Sequence, residues 1–93
     1  MKAHYLVCFD ISDDKVRTRV GKRLLRHGNR VQESVFEVAL VSHAEFGKLL
    51  RDVRKLLEDE QELRFYRLCR DCRKASMRVD GAPVAAFPAV VII

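Results

Sequence analysis

A two-layer sandwich of one sheet backed by two helices, α+β or α/β in class, is what this sequence predicts. Short β-rich runs alternate with amphipathic helical stripes along the chain. No repeat or linker interrupts them, so they share one core. The 93 residues, 48% of them hydrophobic, suffice for one such core and are too few for two, which makes residues 1–93 a single domain.

The first element, His4 to Asp10, is rich in Tyr, Val, Leu and Phe without a helical period, and reads as a largely buried strand that stops at a carboxylate. Asp13 and Asp14 then supply acids for the positive end of a helix whose Val16, Val20, Leu24 and His27 share one face. Gly28-Asn29 suits a left-handed cap at its end. From Arg30 to Val41 the segment RVQESVFEVALV is extended, compatible with one bent strand or with two. Ser42 and Glu45 form a capping box ahead of Phe46, Leu49, Leu50, Val53, Leu56 and Leu57, the most regular helical stripe in the chain. Beyond the acidic Glu58-Asp59-Glu60, strands are expected at Glu62–Leu68, at Met77–Val79 and, behind Pro88, at Ala89–Ile93.

Several functions are disfavoured at once. The opening apolar stretch breaks at Asp10, too early for a signal peptide, and the late run from Ala82 to Ile93 is far shorter than a membrane helix. Three cysteines in a chain able to build its own core fit a reducing compartment, so a cytoplasmic protein without a membrane partner is expected. There is no P-loop, GxGxxG or GxSxG motif. The seven aromatic residues fall mostly within apolar patterns, as core residues do.

Charge points elsewhere. Lysine and arginine number 18 against 13 acids, a net charge of +5, and 12 of the bases are arginine, the better phosphate fork. Between Lys15 and Arg30 stand seven positive residues and no acid; Arg19, Lys22, Arg23 and Arg26 share one flank of the first helix and Arg17 the other. A second group, Arg64, Arg67, Arg70, Arg73, Lys74 and Arg78, is opposed only by Asp71. Either group is a solvated face or a phosphate-binding surface, and two in one small chain put a polyanionic ligand on a level with plain solvation.

Asp10 follows a strand, where ligand sites of open sheets form, and a carboxylate there could hold Mg²⁺ or Mn²⁺ by one oxygen. Spacing alone favours the plainer role, in which Asp10 or Ser12 starts the next helix. Cys69-x-x-Cys72 has the spacing of half a zinc knuckle, but no second pair follows, and it reads as a tight turn bearing free thiols. Redox chemistry is disfavoured because the pair follows a strand rather than opening a helix.

The opening YLVCFDISDDKVRTRVGKRL, then GNRVQESVFEVAL and later FYRLCRDCR, resembles the CRISPR-associated Cas-two family of small spacer-acquisition proteins over nearly the whole chain. The resemblance implies a ferredoxin-like antiparallel sheet with two helices on one face, in a homodimer whose C-terminal strand, within residues 82–93, crosses to the partner's sheet. Such pairing would also cover Ala89–Ile93, an apolar edge prone to aggregation. The resemblance further implies a protein that binds DNA and bridges integrase subunits during spacer acquisition, with a metal-dependent endonuclease activity on RNA or DNA described for members. By position Asp10 matches the family's metal-binding, catalytic aspartate. Arg17, Arg19 and Arg30 match arginines tied to activity and, with Arg23, are expected phosphate ligands; Phe9, Ser34 and Phe36 match supporting positions. Phe9 and Glu33 stand where members often carry tyrosine. A toxin-like ribonuclease or a small nucleic-acid-binding regulator on the same fold is the alternative.

Overall fold

The computed structural model describes residues 2–57, 62–82 and 84. Strand β1 (Ala3–Asp10) is followed by helix α1 (Asp14–Leu25), strands β2 (Gly28–Gln32) and β3 (Val35–Leu40), helix α2 (His43–Leu56), strand β4 (Glu62–Leu68) and a short helix α3 (Arg70–Ala75). The sheet order is β2-β3-β1-β4 and every neighbouring pair is antiparallel. This is the βαββαβ arrangement of the ferredoxin-like fold expected above.

Alternation along the strands decides which face meets the helices. Val7 and Phe9 of β1 and Phe36, Val38 and Leu40 of β3 join Val16, Val20 and Leu24 of α1 and Leu49 and Val53 of α2 in one buried cluster. Phe9 and Phe36 stack with ring centroids 5.8 Å apart. Burying a side chain the size of Phe36, which is wholly inaccessible, contributes about 1.5–3 kcal/mol. A second aromatic group of Tyr5, Phe46 and Phe65 closes the β4 side of the same layer.

The helix starts follow the sequence closely. Asp13 caps α1 by accepting from the Lys15 and Val16 N–H groups, at 2.9 and 3.0 Å. The Val16 bond, followed by that from Lys15 and the nearby Lys15 and Arg19 charges, outweighs desolvation and holds the Asp13 carboxyl below its usual range. Ser42 accepts from the Glu45 N–H at 3.1 Å, while the Glu45 carboxylate reaches back to the Val41 N–H at 2.7 Å, one residue before the usual capping-box partner.

Three expectations change, and a choice left open closes. Of the two arrangements open to residues 30–41 the protein adopts two strands, joined by a tight turn at Glu33-Ser34, with a bulge in β2 between Arg30 and Gln32. Gly28 is not a left-handed cap: α1 ends at Arg26 in ordinary helical conformation, and among the described glycines only Gly81 has a positive φ. Cys69-Arg70-Asp71-Cys72 opens a helix instead of forming a bare turn. Met77 makes an isolated bridge, and Arg78 and Val79 lie outside any strand. The acidic cluster at 58–60 and the strand at Ala89–Ile93, with most of the 82–93 crossing segment, lie outside the described residues.

Candidate nucleic-acid interface and strand-end carboxylate

Asp10 is the last residue of β1 and is exposed, on the sheet face that α1 and α2 leave uncovered. Antiparallel register sets it opposite Glu62, the first residue of β4. Glu62 is engaged by Arg64 at 3.1 Å, and Arg64 also donates to the Tyr66 hydroxyl at 3.1 Å. No hydrogen bond or ion pair engages the Asp10 side chain among the described residues. The end of the strand is fixed by the Phe9 N–H, which donates to the Ser34 carbonyl at 3.1 Å. The Ser34 carbonyl thus anchors β1 one residue before Asp10, and Phe9 stacks on Phe36 in the core.

The donor set limits what cation the site suits. No cluster of three or more histidine, cysteine, aspartate or glutamate side chains gathers among the described residues. A closed all-protein cage, as for structural zinc, does not fit. Mg²⁺ or Mn²⁺, which keep waters and take one or two carboxylates beside a phosphate oxygen, fits an exposed and unengaged Asp10.

The predicted arginines separate into two kinds. Arg17 donates to the Ile11 carbonyl at 2.8 Å and pairs with Asp14, bracing the turn that follows Asp10. Arg23 pairs with Asp52 of α2 at 2.8 Å, both side chains partly buried, and so ties the two helices together. Arg30 lies over the Phe36 ring, 5.0 Å from its centroid, an exposed cation stacked on the core's edge. Arg19 is exposed and makes no hydrogen bond or ion pair among the described residues.

Arg19 belongs to a set that the flank pattern of the sequence does not isolate. Lys15, Arg19, Lys22 and Arg26 recur at i, i+4, i+7 and i+11, and all four are exposed. Helical geometry aligns them in one stripe about 16 Å long, with cationic heads directed away from the core. The spacing is visible in the sequence; what hides the stripe there is Arg23, which shares its flank until Asp52 draws it aside. In the second basic group Arg67 lies over Tyr5 at 5.9 Å and Arg78 pairs with Asp80 at 3.2 Å. That group is more internally spent than the α1 stripe.

Two titratable groups lie buried on the sheet face opposite α1 and α2. Glu37 of β3 shares a cleft with Asn29, Arg30, Val31 and Arg78, and burial pushes its carboxyl up. His4 of β1 is held below the usual histidine range by burial and then by the Arg73 and Lys2 charges. A raised acid contributes stability that is full below the ordinary carboxylate range and lost as pH rises through its shifted value. Glu37→Gln is therefore expected to melt above the parent at neutral pH, and the gap should close as pH falls below the carboxylate range. His4, a depressed base, acts oppositely, its contribution being lost as pH falls through the lowered value, and is untouched by that change. Thermal unfolding of both chains across this range checks the sign.

An antiparallel sheet of order β2-β3-β1-β4 backed by two helices, with a basic face on α1 and an unengaged carboxylate where β1 ends, defines the class: a small ferredoxin-like α+β protein. The family model for "CRISPR associated protein Cas2" matches residues 2–75, and the chain belongs to that family. Among relatives, "CRISPR-associated endoribonuclease Cas2 1" of Chloroflexus aurantiacus is 39% identical over 92 residues, covering 96% of this chain and 98% of that protein. "CRISPR-associated endoribonuclease Cas2 3" of Synechocystis sp. is 42% identical over 65 residues, 69% of this chain and 70% of its own. Among solved structures, a chain of the "Partial Cas6-RT-Cas1--Cas2 complex" superposes with TM-score 0.82 at 36% identity, covering 89% of this chain and 97% of its own. Streptococcus pyogenes Cas2 follows at TM-score 0.72 and 27% identity, covering 82% and 98%.

Proposed function

We propose that this chain serves CRISPR adaptation as a homodimeric adaptor, holding duplex DNA on its basic surface while its flanks meet an integrase. The observation that carries the reading is the unpaired stripe of Lys15, Arg19, Lys22 and Arg26 on a fold whose relative stands in a complex named for Cas1 and Cas2. Exposed apolar side chains at Tyr66, Met77 and Val79 favour a partner over the sheet face and the tail. Cytoplasmic residence accords with three unpaired cysteines.

Neutralising a phosphate releases counterions, so the salt dependence of binding reports how many phosphates the protein engages. On B-DNA the slope of log K against log salt changes by about 0.9 for each phosphate that is no longer neutralised. The double change Arg19→Ala with Arg26→Ala is expected to weaken binding to a short duplex and flatten that slope by nearly two such steps. Arg23→Ala should lower the melting temperature, because its pairing with Asp52 is gone, and leave the slope unchanged. Fluorescence anisotropy across a salt series decides it, and equal slopes for the parent and the double variant would remove α1 from the interface.

A second reading, cleavage, is favoured by a specific feature: Asp10, exposed and unengaged at the end of β1, in a chain whose relatives carry the name endoribonuclease. A divalent ion held there would lower the pKa of a bound water and offset charge on the scissile phosphate. Asp10 and its twofold copy would be the protein ligands and Arg17, which braces the turn after Asp10, the neighbouring cation, with RNA or DNA as substrate. Both readings share the dimer and differ at Asp10.

A further inference from the structure

Cys69 and Cys72 have no part in either reading, and their geometry differs from that of a plain turn. Cys69 is the N-cap of α3, and its sulfur accepts the Cys72 N–H at 3.2 Å. The two sulfurs lie 3.1 Å apart in hydrogen-bond contact, and both residues are exposed. Residues three apart on a helical turn are side-chain neighbours, the separation a disulfide can bridge. The Cys72 N–H and the neighbouring sulfur both lie against the Cys69 sulfur, contacts that favour its charged form. The hydrogen bond from the Cys72 thiol and then the Cys72 N–H pull the Cys69 thiol down, and the same shared bond pushes Cys72 up. The two titrate as a pair, with the first thiolate on Cys69.

We propose that Cys69 and Cys72 form a dithiol–disulfide couple that exchanges with low-molecular-weight disulfides, with Cys69 as attacking sulfur and Cys72 as resolving sulfur. The Cys69 thiolate attacks one sulfur of a disulfide RSSR, forming a Cys69–SR mixed disulfide and releasing RS⁻. Cys72 then gives its proton to solvent and attacks the Cys69 sulfur, closing the Cys69–Cys72 bond and releasing the second RS⁻. The chain loses two hydrogen atoms and RSSR gains the two electrons, so the cycle reverses in excess thiol. Closure turns the sulfur contact into a bond across the first turn of α3, locking the corner where the chain leaves the sheet. A tetrahedral metal site would need donors beyond these two, and no cluster of three gathers among the described residues.

Cys8, half-buried on β1, is the internal control. Native full-length protein is incubated with graded ratios of oxidised to reduced glutathione, quenched by alkylation, and weighed intact by mass spectrometry. The parent is expected to lose two hydrogens per chain, carry no glutathione, and recover with reduced glutathione. Cys72→Ser should instead accumulate one persistent glutathione adduct, mapped to Cys69, because the resolving step is gone. Cys69→Ser should neither close nor react faster at Cys72 than at Cys8. Brief native alkylation of the parent at neutral pH, which needs no variant to fold, should label Cys69 at least about tenfold faster than Cys8. Parent protein that keeps glutathione on both Cys69 and Cys72 without closing, or that labels Cys8 first, would overturn the couple. So would one zinc ion bound per two chains that blocks both thiols, which would make the pair half of an intermolecular metal site.

Discussion

Gly28→Ala is expected to lose at least about 3 kcal/mol, the upper part of the range for forcing a methyl group into close-packed structure. Against total stabilities of about 5–15 kcal/mol this is a large fraction, and it lowers the melting temperature of a domain this size by about 12 °C or more. The cause is steric. A Cβ on Gly28 would sit 1.9 Å from the Glu37 carbonyl oxygen and 2.6 Å from the Val38 Cα, both backbone atoms of β3. Backbone in the middle of a sheet cannot swing aside as a side chain can, so the β2–β3 ladder itself must move. Gly47→Ala provides the opposite sign: its new Cβ would meet only the flexible end of Arg51, at 3.6 Å, and alanine within α2 should add about 0.5–1 kcal/mol. Paired melts of the two variants test the packing directly; a harmless Gly28→Ala would mean that β2 does not approach β3 as described.

The same glycine shows where sequence reasoning stops. A glycine and an asparagine after a helical stripe look like a cap, because local pattern carries no information about a strand ten residues away. The approach of Gly28 to Val38 is a tertiary fact. What sequence reveals well is periodicity backed by burial: Val16, Val20 and Leu24 of α1 and Leu49 and Val53 of α2 stand where the stripes put them, at the centre of the core. Helix α3 escapes that test because none of its six residues is buried, so it has no apolar stripe to detect. Its start is marked by capping, and the cap is a cysteine, which propensity rules do not favour as an N-cap.

The candidate site divides in the same way. Asp10 at a strand end is legible, but its juxtaposition with Glu62 depends on β1–β4 register across 52 positions of chain, which no local pattern encodes. Arg23 reads as one of the basic flank because its partner, Asp52, is 29 residues distant. Once that pair is removed, Lys15, Arg19, Lys22 and Arg26 stand out as the stripe.

Asp10→Asn is expected to separate the two proposed activities. The substitution keeps the side chain's size, and an exposed position without partners predicts a melting temperature close to the parent's. If Asp10 holds the cation, metal-dependent cleavage of single-stranded RNA or duplex DNA should fall at least about a hundredfold, since stabilisation of the charged transition state by a bound ion is worth several kcal/mol. Duplex binding should be retained or slightly strengthened, because a negative charge has left a surface that attracts phosphate. The assay runs parent and variant with Mg²⁺, with Mn²⁺ and with chelator, at one salt concentration, alongside light scattering to check that the substitution leaves the oligomeric state unchanged. Cleavage that survives the substitution places the activity elsewhere. Cleavage absent from the parent while DNA binding and spacer acquisition persist in the variant leaves the adaptor as the whole function. The electrostatics explain why the two proposed roles can part company: the charge of the α1 stripe reaches any phosphate within a Debye length, about 8 Å at physiological salt, whereas hydrolysis would need the Asp10 carboxylate and its twofold copy at one cation.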